Sequence, residues 1–188
     1  IAKTVQKQRP TRAAGHLLEG DVHASQRKLG PALTAFRSAL ELERSTLTAM
    51  RVHSTTKLAL SSADAERFAA SWMKDHPEDV AFLVHLGAVA TDAKQFGPAE
   101  ERFTAALTLQ PDHPPTLNNL AWVILQQGKP GALAYAEKAN KLAPEQAPFM
   151  DTLAAALAAE GQFDKAVDFQ RRALAKATEA AAPAYRLR

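Results

Sequence analysis

Five alanines, Ala32, Ala65, Ala99, Ala132 and Ala166, recur at intervals of 33, 34, 33 and 34 residues in a chain of 188. A fixed period of this length marks stacked repeats, each contacting its neighbours, rather than one closed core. A second series keeps step seven residues further on, with Ala39, Trp72, Ala106, Ala139 and Ala173. Prolines close the units at Pro10, Pro77, Pro111 and Pro144, while Arg44 and Thr178 hold the same phase without one.

The unit from Glu78 to Pro111 shows what each period contains. Leu83, Leu86, Val89 and Ala90 share one face at a helical period that a strand could not use. Gln95, Phe96 and Gly97 break that pattern, and Pro98, tolerated in a first helical turn, restarts it. Ala99, Phe103, Ala106 and Leu107 then form a second apolar stripe. Where two helices cross closely, a side chain larger than alanine holds the axes apart, so Ala99 and Ala106 mark the crossing and Phe103 fills the space between them. Pro111 ends the second helix, because proline lacks an amide donor and disfavours helical geometry in the residue before it.

This phase predicts an all-α chain with helix pairs at 12–26 and 30–43, 46–58 and 62–75, 114–127 and 130–142, and 147–159 and 163–177, besides the pair within 78–111. The five repeats occupy 11–44, 45–77, 78–111, 112–144 and 145–178 of one elongated domain. Residues 1–10 read as the end of a preceding repeat and 179–188 as the start of a further helix, as expected of a fragment. Ser61 with Asp64 has the spacing of a capping box. The 33-residue intervals place irregularities at the second repeat and at a shortened turn near Gly128. Trp72, at a position otherwise held by alanine, predicts altered helix spacing there.

Leu86 with Gly87, then Ala99, Phe103, Ala106 and Pro111, resembles the tetratricopeptide repeat, whose pattern is W-x2-L-G-x2-Y, then A-x3-F, then P. The first repeat adds Gly20, Ala32, Phe36 and Ala39, with His16 and His23 where the family prefers aromatics and Glu19 where it prefers leucine. The fourth has Leu120, Ala121, Ala132, Ala139 and Pro144, and the fifth has Leu153, Ala166 and Ala173. The resemblance implies a right-handed superhelix. The stretches Leu17-Leu18-Glu19-Gly20-Asp21, Asn118-Asn119-Leu120-Ala121-Trp122 and Tyr135-Ala136-Glu137-Lys138-Ala139 also resemble the tetratricopeptide lipoprotein of bacterial PEP-CTERM systems. That likeness implies the periplasmic side of a bacterial cell envelope and a role in protein sorting or exopolysaccharide export. The cytoplasm is the alternative location.

Several kinds of chemistry find no footing. With no cysteine, disulfides, thiolate catalysis and cysteine-based zinc sites are excluded. His16 and His23 share a helix face but lie ~10 Å apart along it, too far to bind one ion, so they read as packing residues and neither metal nor cofactor is expected. No phosphate loop or nucleophile elbow occurs, and Glu100 and Glu101 diverge on a helix, so an enzyme is not expected from this chain. No apolar run approaches the ~18 residues of a membrane span. Residues 1–77 carry 12 Lys and Arg against 7 Asp and Glu, and residues 78–188 carry 11 against 13. Apart from Arg171, Arg172 and Lys176, diluted by Asp168 and Glu179, no basic cluster suggests nucleic acid.

The family geometry places the first helix of each pair along a concave groove that receives a peptide or protein partner. Helical phase then puts Leu17 and Asp21; Met50, Ser54 and Lys57; Val84, Ala88 and Thr91; Asn118, Trp122 and Leu125; and Asp151, Ala155 and Ala158 on that face. Members that clamp a carboxy-terminal carboxylate use lysines, asparagines and an arginine there, which Val84 and Ala88 do not supply. Trp122 reads either as a partly exposed contact for a partner or as core between first helices. Two further readings stay open from sequence: a spacer that self-associates through its terminal repeats, and the regulatory arm of an enzyme.

Overall fold

A computed structural model of the protein describes residues 2–181, and these form eleven α-helices without a strand. They are α1 (Ala2–Gln8), α2 (Ala14–Ser25), α3 (Leu29–Leu42), α4 (Thr46–Ala59), α5 (Ser62–Asp75), α6 (Val80–Asp92), α7 (Phe96–Leu109), α8 (Pro114–Gln126), α9 (Ala132–Leu142), α10 (Ala147–Ala159) and α11 (Phe163–Ala181). Residues 179–181, expected to open a further helix, instead prolong α11, and the rest of that expectation, 182–188, lies outside the described residues. The chain divides into two compact units, Ile1–Phe82 and Leu83–Arg188, with α6 running across the division.

Within each unit consecutive helices pack as neighbours, and in the second unit α8 also packs on α10, first helix against first helix. Both alanine series are buried throughout: Ala32, Ala65, Ala99, Ala132 and Ala166, and Ala39, Trp72, Ala106, Ala139 and Ala173. The rhythm in the sequence is therefore the rhythm of helix crossings. In the first unit Ala32, Leu33, Phe36 and Val52 form the core, with Leu17 and Phe68 half-buried against it. In the second unit a continuous core runs from Ala90 and Phe103 through Leu120, Ala121 and Ala136 to Leu153, Leu157 and Ala166.

The family glycine has a steric cause. A Cβ built on Gly20 would stand 2.3 Å from the ring of Phe36, and one on Gly87 would stand 2.5 Å from the ring of Phe103. In both pairs a phenyl ring of the second helix lies directly on the backbone of the first. The fourth repeat has alanine in both roles, Ala121 and Ala136, each fully buried. Removing the ring leaves room for the methyl group.

Four of the five turns inside the pairs share a backbone device, the exception being the turn between α4 and α5. Arg27, Lys94, Gly128 and Gly161 all take left-handed φ, between 57° and 73°. The amide of the following residue then reaches back to a carbonyl of the last helical turn: Lys28 to His23, Gln95 to Ala90, Lys129 to Ile124, and Gln162 to Leu157. These are the bonds of the Schellman motif, which satisfies carbonyls that a helix end leaves open. Arg27 and Lys94 hold this conformation with a Cβ, at a cost glycine avoids. Lys94→Gly is expected to raise stability by about 1 kcal/mol, read as a higher urea midpoint at unchanged slope.

Two local expectations are corrected, and the cap expected at Ser61 is present. The break expected at Gln95–Gly97 falls at 93–95, and Phe96 belongs to α7, where its ring packs against the second-unit core. The turn near Gly128 is not shortened: the connection runs over 127–131, because Gly131 at φ 97° keeps the chain out of helical geometry until Ala132. At Ser61 the hydroxyl accepts the Asp64 amide at 3.1 Å, and the Asp64 carboxylate receives that hydroxyl. This hydroxyl holds the Asp64 carboxyl below its usual range, with Arg67 and Arg37 adding to the effect.

Candidate functional site

Trp72 is held in its irregular position by the turn that follows α5. Its indole is buried, stacks on His76 with centroids 3.9 Å apart, and donates Nε1–H to Asp79 Oδ2 at 2.9 Å. Asp79 also receives the Thr46 hydroxyl at 2.9 Å and, through Oδ1, the amide of Phe82 at 3.0 Å, which caps the start of α6. The irregular second repeat is thus closed by a polar knot around one carboxylate. Nothing in the alanine rhythm announced it.

The groove residues expected in the first unit are half-buried on α2 and α4. Leu17 packs against the core, and Asp21 is taken up by Arg51, whose guanidinium lies over the Phe36 ring at 5.6 Å. Met50, Ser54 and Lys57 are half-buried along α4. Arg51 was absent from the expected set, although its position beside Met50 puts it within reach of that face.

In the second unit the structure gathers five expected residues around one cavity of about 490 Å³: Ala88, Thr91, Asn118, Trp122 and Asp151. Asp92, Asn119, Pro148 and Thr152 complete its polar and apolar wall, with Phe103 beneath. The first helices α6, α8 and α10 supply all of these except Phe103. Val84, Leu125 and Ala158 turn instead toward the core and are half-buried against it, while Ala155 stays exposed. A 3.6-residue period assigns a face, but it does not separate its edge, which the next helix covers, from its centre.

Trp122 is 37% exposed, with its indole edge to face with Phe96 at 5.8 Å between centroids. The ring is thus partly open to solvent and partly packed on α7. Asn118 is only 9% exposed, yet its Oδ1 has no hydrogen-bond partner among the described residues, and the buried Thr91 Oγ1 has none either. Buried polar atoms are nearly always paired, so an unpaired carboxamide oxygen and an unpaired hydroxyl on residues of one cavity wall stand out. Asp151 is oriented from behind by Gln170, whose Nε2 donates to Oδ1 at 2.8 Å.

Other charged groups are occupied structurally. Lys129 and Gln127 both donate to Glu100 at 2.7 Å, holding its carboxyl below the usual range and tying the end of α8 to α7. Lys176 does the same for Glu145 at 2.8 Å. Of the basic carboxy-terminal cluster, Arg172 lies over the Phe169 ring at 4.9 Å and Lys176 is paired with Glu145. His16 meets Gln6 and Glu19. Among the described residues no three His, Asp or Glu side chains gather as metal ligands, and no helix is long and apolar enough to cross a membrane. Phe163, Val167 and Leu174 leave an apolar stripe exposed on α11.

No protein-family model and no curated protein matches this sequence. Solved structures do match. The crystal structure of MamA protein aligns with a TM-score of 0.68 at 18% identity over 94% of this chain and 96% of that one. Yeast Tom70 aligns at 0.78 and 17% identity over 96% of this chain and 42% of Tom70. PilF of Pseudomonas aeruginosa aligns at 0.70 and 20% identity over 87% of this chain and 76% of that one. At these identities the likeness fixes the architecture: this chain has the all-α, paired-helix solenoid fold of the tetratricopeptide type.

Proposed function

We propose that this chain is a non-enzymatic interaction module that holds an extended segment of a partner protein against α6, α8 and α10. The observation that carries this reading is Asn118, whose carboxamide oxygen is buried and unpaired on the wall of a cavity flanked by an exposed tryptophan. A turn of the Asn118 carboxamide toward the cavity lets a backbone N–H of an extended peptide satisfy that oxygen, and an apolar or cationic side chain beside it covers the Trp122 indole. An indole offers large contact area with a single donor, which suits an energetic anchor.

A peptide selected for binding by surface display should lose at least about tenfold in affinity with Trp122→Ala, or ~1.4 kcal/mol. Asn118→Ala should weaken the same peptide comparably, since a buried carbonyl–amide bond is lost. Fluorescence anisotropy with a labelled peptide measures both. Unchanged affinity in variants that keep their circular dichroism would remove this groove from the function.

For the cellular setting we propose the bacterial envelope, in protein sorting or exopolysaccharide export. The support is the likeness of the segments at 17–21, 118–122 and 135–139 to the PEP-CTERM-associated lipoprotein. Fractionation of the native host tests it, with a purely cytoplasmic pool as the contrary result.

A further inference from the structure

We infer that the cavity around Trp122 selects a basic segment, seating a lysine or arginine side chain of the bound peptide between Asp92, Asp151 and the indole. This rests on the peptide-binding reading above and goes further by fixing the chemistry of the occupant.

The charge pattern of the wall is one-sided. Asp92 and Asp151 both line the cavity, and no lysine, arginine or histidine does. Three other carboxylates beside a groove or turn are matched by cations of the chain: Asp21 by Arg51, Glu100 by Lys129 and Glu145 by Lys176. Asp92 is exposed and has neither hydrogen bond nor ion pair among the described residues. Asp151 takes only the neutral Gln170 amide, on Oδ1, which orients the carboxylate and leaves its charge uncompensated.

The remaining polar atoms have the same sense. Asn118 Oδ1 and Thr91 Oγ1 are buried without a partner in the residues of the wall, so an incoming group meets two carboxylates and an exposed indole, with an unpaired carboxamide oxygen just behind the surface. An acidic ligand finds no counter-charge there. A lysine or arginine finds three kinds of attraction at once: ion pairing, hydrogen-bond acceptance and a cation–π contact. Its aliphatic stem suits the apolar part of the wall made by Ala88 and Pro148.

Three fluorescein-labelled decapeptides of one backbone sequence, with lysine, glutamine or glutamate at alternate positions, test the inference by anisotropy at 50 and 300 mM NaCl. The lysine peptide should bind at least tenfold tighter than the glutamine peptide at the lower salt. It should lose about fivefold with either Asp92→Asn or Asp151→Asn and more with both, and it should weaken at the higher salt. Asp92→Lys with Asp151→Lys should shift preference toward the glutamate peptide. All variants are checked by circular dichroism, and because both side chains are exposed they should fold as the parent does.

Equal binding of the three peptides, lost alike in Trp122→Ala, overturns the charge inference and leaves the groove reading standing. Lysine-peptide binding that ignores Asp92→Asn and Asp151→Asn places the peptide elsewhere and also overturns it. Binding of every peptide that ignores Trp122→Ala overturns both readings. Self-association of the unliganded protein that disappears in the Asp92→Asn, Asp151→Asn double variant assigns the cavity to a second copy, against the proposal.

Discussion

Gly87→Ala should destabilise the protein by about 2–3 kcal/mol, far more than a change of one methyl group on a half-exposed helix normally costs. The methyl group would stand 2.5 Å from the Phe103 ring, and that ring is buried with the whole second-unit core around it. Phe103 cannot swing aside without leaving its rotamer or displacing Ala99 and Ala106, which are packed at the helix crossing. The helix propensity gained by alanine, about 1 kcal/mol, offsets part of the clash and is included in the figure.

The same chain contains the compensated solution. In the fourth repeat Ala121 faces a second helix that carries Ala136 instead of phenylalanine. Phe103→Ala alone should cost about 3–5 kcal/mol through loss of the ring and the cavity it leaves. The double variant Gly87→Ala, Phe103→Ala should cost less than the sum of the two by at least 1 kcal/mol, since the new methyl group occupies part of that cavity. Urea unfolding of the four proteins, with slopes compared, measures the coupling. Strict additivity would show that Gly87 and Phe103 do not constrain one another.

This coupling also shows what was legible in the sequence. The alanine series specified helix crossings, because only burial at close approach demands a small residue every turn of the solenoid. Every expected pair is present, with ends moved by a few residues. The moves come from backbone conformations, such as left-handed Lys94 and Gly131, that no apolar period encodes. On the candidate site, phase alone brought Ala88, Thr91, Asn118, Trp122 and Asp151 to one wall, but it missed Asp92 and Pro148. Val84 and Leu125 pack against the core, because which edge of a face the neighbouring helix covers depends on packing angle. Repeat logic reads positions that recur; it is silent on positions that differ from the repeat.

Asp79 is such a position, and Asp79→Ala should cost about 3 kcal/mol. Three donors converge on its carboxylate: the indole N–H of Trp72, the hydroxyl of Thr46 and the amide of Phe82. Losing the bond to the Phe82 amide removes a helix cap, worth about 1 kcal/mol. Losing the bond to Trp72 takes the acceptor from the indole N–H of a side chain that is 3% exposed, at roughly a further 1–3 kcal/mol. Asp79→Asn keeps one oxygen for three donors and presents an amide to the others, so its cost should lie between that of alanine and zero. Trp72→Phe supplies the control: with the indole N–H gone, Asp79→Ala should cost only about 1–2 kcal/mol, the share belonging to the cap and Thr46. Urea midpoints followed by far-ultraviolet circular dichroism report all four proteins without relying on tryptophan emission. An undiminished cost of Asp79→Ala in the Trp72→Phe background would mean that the carboxylate acts through α6 and Thr46 without the indole, and that the large residue in the second repeat is held by packing rather than by its hydrogen bond.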